Sequence, residues 1–365
     1  MQAKWGIQGM AVAPHSLASE SALAVLREGG NALEAMISAA ATIAVVYPHM
    51  NSIGGDSFWV VHAPGKAMGG IDACGASAGL ATKQWYADKG ITKSIPFRGP
   101  IAANTVAGTI SGWGAAHALS KKGLGGKLPL SRLLEDAIHY AEAGVPVTLS
   151  QSSLTEKKRV ELANIPGFAE TFLVNGKSPE VGSIFKQGRL AATLRQIAKK
   201  GTDDYYRGEL ADLLAKELTA IGSPLRLADL QRHQAKLIDP LELKHSLGNV
   251  YNMTPPTQGV VSLMILGILD QLNLKRFDVD SAEYVHHCVE ATKQAFKVRD
   301  QHVTDPAYMA HHAQHFLTPD FLKGLASKVD AQKALPWGAG RGPADTIWMG
   351  VVAVSYTHLT LPTKA

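Results

Sequence analysis

The chain has 365 residues, 46% hydrophobic and 18% charged, with a formal net charge of +5. That apolar share supports a globular core and excludes wholesale disorder and collagen-like repeats. Lys and Arg are dispersed in short pairs such as Lys199-Lys200, which is bulk surface charge and not a nucleic-acid footprint. Cys74 and Cys288 are too few for a disulfide scaffold and fit a reducing compartment. Met1 to Gly9 shows no charged-then-apolar leader. The longest apolar stretch, Leu33 to Val46, is interrupted by Glu34, Ser38 and Thr42 and is shorter than the ~20 residues of a membrane span. These features predict a cytoplasmic protein with neither membrane nor nucleic acid as partner.

In chain order, Ser16 or Ser19 can cap a helix running to about Glu28, which Gly29-Gly30-Asn31 ends. A second helix, Ala32 to Tyr47, is apolar almost all round and is expected to be buried. Asn51-Ser52-Ile53-Gly54-Gly55-Asp56 is a tight loop before a strand, Ser57 to His62. Met68 to Ala73 reads as its hairpin partner across Pro64-Gly65-Lys66. Helices are expected at Thr109 to Lys121, Leu130 to Ala143, Gln151 to Asn164, Gln187 to Lys200 and Gly208 to Ile221. Pro240 to Tyr251 alternates as a strand does. Val260 to Leu272 and Ala282 to Gln301 read as helices. Gly338 to Pro343 reads as an exposed loop, and Ile347 to Val354 as a strand. Strands drawn from distant parts of the chain and flanked by helices predict a layered α+β architecture.

Asp345-Thr346 places a threonine at the start of that last strand. Its hydroxyl is a poor nucleophile without a neighbouring base. Were the bond before Thr346 cut, the freed α-amine, with an ordinary pKa of about 7.7–8, would supply that base on the same residue. From spacing alone, an ordinary loop-to-strand junction is the commoner explanation of Asp-Thr. The glycines of Asn51 to Phe58 could bring N–H groups to an anion; a plain turn is the simpler alternative. His286, His287 and Cys288 are adjacent. His311 and His315, four apart, would share a helix face as metal ligands can. Surface histidines account for both groups more simply, so no metal and no cofactor is expected. His49 reads as a loop or packing residue. Asp56 and Asp305 read as turn formers or ion-pair partners.

Seven segments, in order, resemble the large subunit of the gamma-glutamyltransferase family of N-terminal-nucleophile hydrolases. They begin with GMAVAPHSLASESALAVLREGGNALEAMISAAATIAVVYPHMNSIGGDSF, TVAGTISGW and LPLSRLLEDAIHYAEAGVPV. ADLQRHQAKLIDPLEL, MTPPTQGVVSLMILGIL, VHHCVEATKQAFKVRD and ADTIWMGVV follow. The resemblance implies a four-layer αββα sandwich and self-cleavage between Asp345 and Thr346. It implies that Thr346 is the acyl-forming nucleophile, and that Asn51, Gly54 and Gly55 lie near the active-site cleft. It divides the chain into a large-subunit region, 1–345, and the first small-subunit strand, 346–353. Residues 354–365 depart from the family pattern and read as a non-native tail. On this reading the sandwich is incomplete and the chain alone is expected to be inactive; an inert fragment or binding chain is the alternative to a working enzyme.

Two departures bear on substrate. The family's carboxylate-clamping arginine lies in an Arg-Glu-x-Ala-Pro segment, and the matching stretch, Asp72 to Ser77, has none. Neither Cys nor Ala replaces a bidentate guanidinium. The Pro-Gly before TVAG is Ala103-Asn104. The chain therefore looks like the oxamate amidohydrolase branch, with a small-molecule amide as substrate and its own small subunit as partner. Arg98 could supply a replacement carboxylate contact, and a surface-loop role is equally open.

Overall fold

A computed structural model describes residues 6, 9–337, 346–353 and 358–361. The proposed cut at Asp345, the Gly338–Pro343 loop and most of the 354–365 segment lie outside the described residues. In chain order the elements are β1 (Gly9–Val12), α1 (Ser16–Arg27), α2 (Ala32–Val46), β2 (Ser57–His62), β3 (Gly69–Ala73), α3 (Lys83–Ala87), α4 (Thr109–Gly123), α5 (Leu130–Leu133) and α6 (Glu135–Ala143). Then come β4 (Val145–Pro146), α7 (Leu149–Leu162), α8 (Phe168–Phe172), β5 (Ile184–Phe185), α9 (Gly188–Lys200), α10 (Asp204–Arg207), α11 (Glu209–Ala220), α12 (Leu227–Arg232) and β6 (Lys236–Ile238). The rest are β7 (Leu241–His245), β8 (Gly248–Asn252), α13 (Gly259–Gln271), α14 (Ala282–His302), α15 (Pro319–Ala326), β9 (Met349–Ala353) and β10 (His358–Leu361).

These elements form two compact units. One holds residues up to 67, 71–237 and 345–365, with the C-terminal strands; the other holds 68–70 and 238–344. In the first, a six-stranded sheet runs β1-β9-β10-β2-β3-β6. Every residue of α2 is buried, as a sequence apolar almost all round demands. An Asn31–Glu34 capping box starts it: Glu34 N–H donates to Asn31 Oδ1 at 3.1 Å and Asn31 N–H to Glu34 Oε2 at 3.0 Å. Trp59, Ile71, Trp113, Met349 and Val351 share its core. In the second unit, α13 and α14 build a separate core with Leu241, Leu243 and Phe316.

Several sequence expectations need correction. The cap of α1 is His15, whose Nδ1 accepts from Leu17 N–H at 3.3 Å; Ser16 is already the first helical residue. The helix expected over Leu130–Ala143 breaks at Leu134, where burial of both Leu133 and Leu134 outweighs helix continuity. Pro240–Tyr251 is a hairpin, β7 against β8, and not one strand. Its turn is held by Asp270, which accepts from Ser246 N–H at 2.9 Å. His311 shares no helix face with His315; it precedes a short 3-10 turn, Ala313–Leu317, and the two rings stack at 4.7 Å.

Candidate active site

The registers place four chain segments at one end of the six-stranded sheet. β9 runs antiparallel to β1, with Gly350 opposite Val12, so β9 begins where β1 ends. β10 is antiparallel to both neighbours: Leu361 faces Met349, and Thr360 faces Val60. β2 therefore begins at the same end as β9. β3 neighbours β2 across a connection too short for a parallel crossover, so β3 finishes there too. Thr346 leading into β9, His15 beyond β1, Asn51–Asp56 before β2 and Cys74–Gly75 after β3 are thus brought to one edge. At ~4.8 Å per strand, β9 and β2 lie roughly 10 Å apart.

Thr346 is exposed, while Ile347 beside it is buried in the core. The alternation of β9 anchors the strand and leaves the threonine at its mouth. The Asn51–Asp56 loop is held from both sides. Asn51 N–H donates to Tyr47 O at 3.1 Å and Gly54 N–H to Ser52 Oγ at 3.2 Å. Two N–H groups that could have cradled an anion are thereby engaged, which favours the plain turn. From α4, Thr109 N–H donates to Gly55 O at 2.9 Å. Its Oγ1 donates to Gly55 O at 2.8 Å and Asp56 O at 3.1 Å.

Asp56 does more than form a turn. Its Oδ1 accepts from Gly75 N–H at 2.9 Å, and its Oδ2 from the Cys74 thiol at 3.6 Å. Asp72 Oδ1 accepts from Cys74 N–H at 2.9 Å, and burial raises the Asp72 carboxyl above its ordinary pKa. The backbones here meet so closely that side chains are excluded. A Cβ on Gly75 would lie 1.6 Å from Val106 O, and one on Gly108 1.8 Å from Ala73 O. Tyr206 ties down the next segment: its hydroxyl donates to Ala107 O at 2.7 Å and accepts from Ser111 N–H at 2.9 Å. Burial drives the Tyr206 phenol well above its usual pKa, and the charges of Tyr205 and Asp56 add to that.

Three histidines flank this edge without having been singled out as functional. Burial lowers the His15 imidazole below its ordinary pKa, with Glu20 opposing. His49 packs edge-on against Tyr47 at 4.3 Å between ring centres, which is the packing role expected of it. His233, whose ring lies tilted against Tyr206, is pushed down to about 4 by burial, with Arg207 and Lys236 adding to the effect. Neither His15 nor His233 had a sequence signal, because only strand pairing and burial make them special.

The remaining candidates have partners of their own. Arg98 is exposed and pairs with Glu161 at 3.4 Å. His286 Nε2 contacts Asp330 O and His287 Nδ1 contacts Glu283 O, both at 2.7 Å. Asp305 accepts from Ala307 N–H at 2.9 Å, capping a turn as read. Among the described residues no group of three or more His, Cys, Asp or Glu side chains could hold a metal ion.

The family model for gamma-glutamyltranspeptidase matches residues 18–357. The oxamate amidohydrolase proenzyme of Klebsiella pneumoniae is 55% identical over 94% of this chain and 64% of its own length. A glutathione hydrolase-like proenzyme of Bacillus subtilis is 35% identical over 95% of the chain and 65% of its own length. The chain thus spans just under two thirds of each relative. The crystal structure of cephalosporin acylase from Bacillus halodurans superimposes with a TM-score of 0.86 at 26% identity, over 100% of this chain and 67% of that one. The fold is the α+β fold of N-terminal-nucleophile hydrolases.

Proposed function

This chain belongs to the gamma-glutamyltranspeptidase family, and on that premise we propose that it is a self-cleaving amide hydrolase with Thr346 as nucleophile. Cleavage hydrolyses the Asp345–Thr346 peptide bond, leaving a carboxylate on Asp345 and a free amine on Thr346. In turnover, Thr346 Oγ attacks the amide carbon and its proton passes to the Thr346 α-amine. That amine returns the proton to the departing amine as the C–N bond breaks. Water then hydrolyses the ester and regenerates the threonine. The exposed Thr346, ahead of an anchored strand and at one sheet end with the Asn51–Asp56 loop, suits this role. After cleavage, the chain beginning at Thr346 is the partner subunit.

We favour oxamate over a γ-glutamyl compound as the acyl donor. The observation that carries this is the 55% identity to the oxamate amidohydrolase proenzyme. Residues 72–77 also offer no cation to clamp an amino-acid carboxylate, and Arg98 has Glu161 as an ion-pair partner. The two cysteines share no disulfide, which suits a reducing compartment, and we place the enzyme in the cytoplasm. An inert chain gains no support from relatives named as hydrolases. Incubation of the full-length protein, small subunit included, with oxamate and with a γ-glutamyl anilide tests the assignment. Ammonia release from oxamate is expected; turnover of the anilide alone would overturn it.

A further inference from the structure

We propose that Asp56 is a positioning residue for the Thr346 site, its carboxylate holding the Cys74 thiol and the Gly75 amide as one wall of the substrate cleft. The inference rests on the reading of Thr346 as nucleophile. Asp56 joins three segments that meet at the sheet end where β9 begins. Its side chain binds Gly75 N–H at 2.9 Å and the Cys74 thiol at 3.6 Å. Its own carbonyl accepts from Thr109 Oγ1 at 3.1 Å. The thiol also reaches Gly75 O at 4.0 Å, and of these two acceptors the carboxylate is the nearer. Gly75 cannot carry a Cβ without striking Val106 O, so this turn has one way to sit against the 105–108 segment. Cys74 is half-buried, and its thiol is the neutral surface Asp56 presents. Asp56 acts through Cys74 and Gly75, so its loss is felt in substrate binding more than in the chemical step.

Asp56→Asn keeps the shape and removes the charge. An anion beside a thiol disfavours the thiolate, and an amide does not. Alkylation of the purified chain by iodoacetamide at pH 7.5, followed by peptide mass spectrometry, therefore reads the contact without any enzyme assay. Cys74 is expected to react roughly 3- to 10-fold faster in Asp56→Asn, with Cys288 unchanged as the internal reference. In steady-state hydrolysis of oxamate by the full-length protein, KM is expected to rise about fivefold or more while kcat stays within about threefold. Cys74→Val removes the thiol donor without touching Asp56 and carries the KM arm should Asp56→Asn fold poorly. The double variant is expected to be no worse than the poorer single one, because the two residues act through one contact. Unchanged Cys74 reactivity, or an unchanged KM with altered reactivity, overturns the proposal. A full-length wild-type protein inert toward oxamate and other amides defeats the Thr346 reading instead, and the alkylation result still decides whether Asp56 holds Cys74.

Discussion

Replacing Thr109 by valine removes one hydroxyl and keeps the side chain's shape. In the native protein that hydroxyl reaches Gly55 O at 2.8 Å and Asp56 O at 3.1 Å, and Thr109 is only 8% exposed. Gly55 O retains the Thr109 N–H at 2.9 Å; Asp56 O loses this donor. A methyl group cannot sit at 2.8 Å from a carbonyl oxygen, because even C–H···O contacts lie near 3.3–3.6 Å. The loop must therefore shift as well as lose the bond. A partly buried hydrogen bond of this kind contributes about 1–2 kcal/mol. That change in local opening free energy corresponds to roughly 5- to 30-fold faster amide exchange. Hydrogen–deuterium exchange of peptides spanning residues 50–58 reads it directly. Thr109→Ser, which keeps the donor, is expected to exchange within about threefold of wild type. A valine variant within twofold of wild type, or equal to the serine variant, would refute the claim that this hydroxyl holds the loop.

Other outcomes follow from the same site. His233 is pushed down to about 4 in the fold, against about 6.5 in an unfolded chain. The unfolded state therefore binds the extra proton between those values, and stability present above pH 6.5 is lost as pH falls toward 4. The loss is at most about 3 kcal/mol, and urea midpoints across pH 4–7 should show a slope that His233→Phe flattens; an identical slope in the variant contradicts it. Gly75→Ala and Gly108→Ala, whose methyl groups would meet backbone oxygens, are each expected to cost at least about 3 kcal/mol, and a wild-type urea midpoint in either would show the packing to be wrong. Gly54, with only Ser52 Oγ at 3.6 Å from a built Cβ, should tolerate alanine within about 0.5 kcal/mol; loss of oxamate turnover at unchanged stability would mark close approach of substrate there. Arg98→Ala breaks an exposed pair with Glu161 and is expected to change stability by less than about 1 kcal/mol; a KM for oxamate raised more than tenfold would make Arg98 a substrate contact.

Much of the scaffold was legible in the sequence. β2 falls at Ser57–His62 as expected, and the buried α2 differs by one residue at its end; both carry strong local signals, an aromatic and β-branched run after glycines and a helix apolar almost all round. β1 was not foreseen, because Gly9–Val12 offers four residues and no period. The partner that makes it a strand is β9, more than 300 residues away. The same distance hid the site: nothing local says that Asp56, Cys74 and Thr109 meet. Asp56 read as a turn former, since a lone carboxylate beside two glycines suits one. Its partners come from the end of β3 and the start of α4, and only the sheet order brings them together. The break at Leu134 and the β7–β8 turn were missed because burial and a side-chain cap from Asp270 override a local pattern.

The account depends most on a new chain start at Thr346. Intact mass and N-terminal sequencing of the purified full-length protein, small subunit included, beside Thr346→Ala, measure it. The expected result is a second N-terminus at Thr346 with oxamate turnover in the wild type, and one uncut, inactive chain in the variant. An uncut wild type that still hydrolyses amides, or an alanine variant with full turnover, would contradict it.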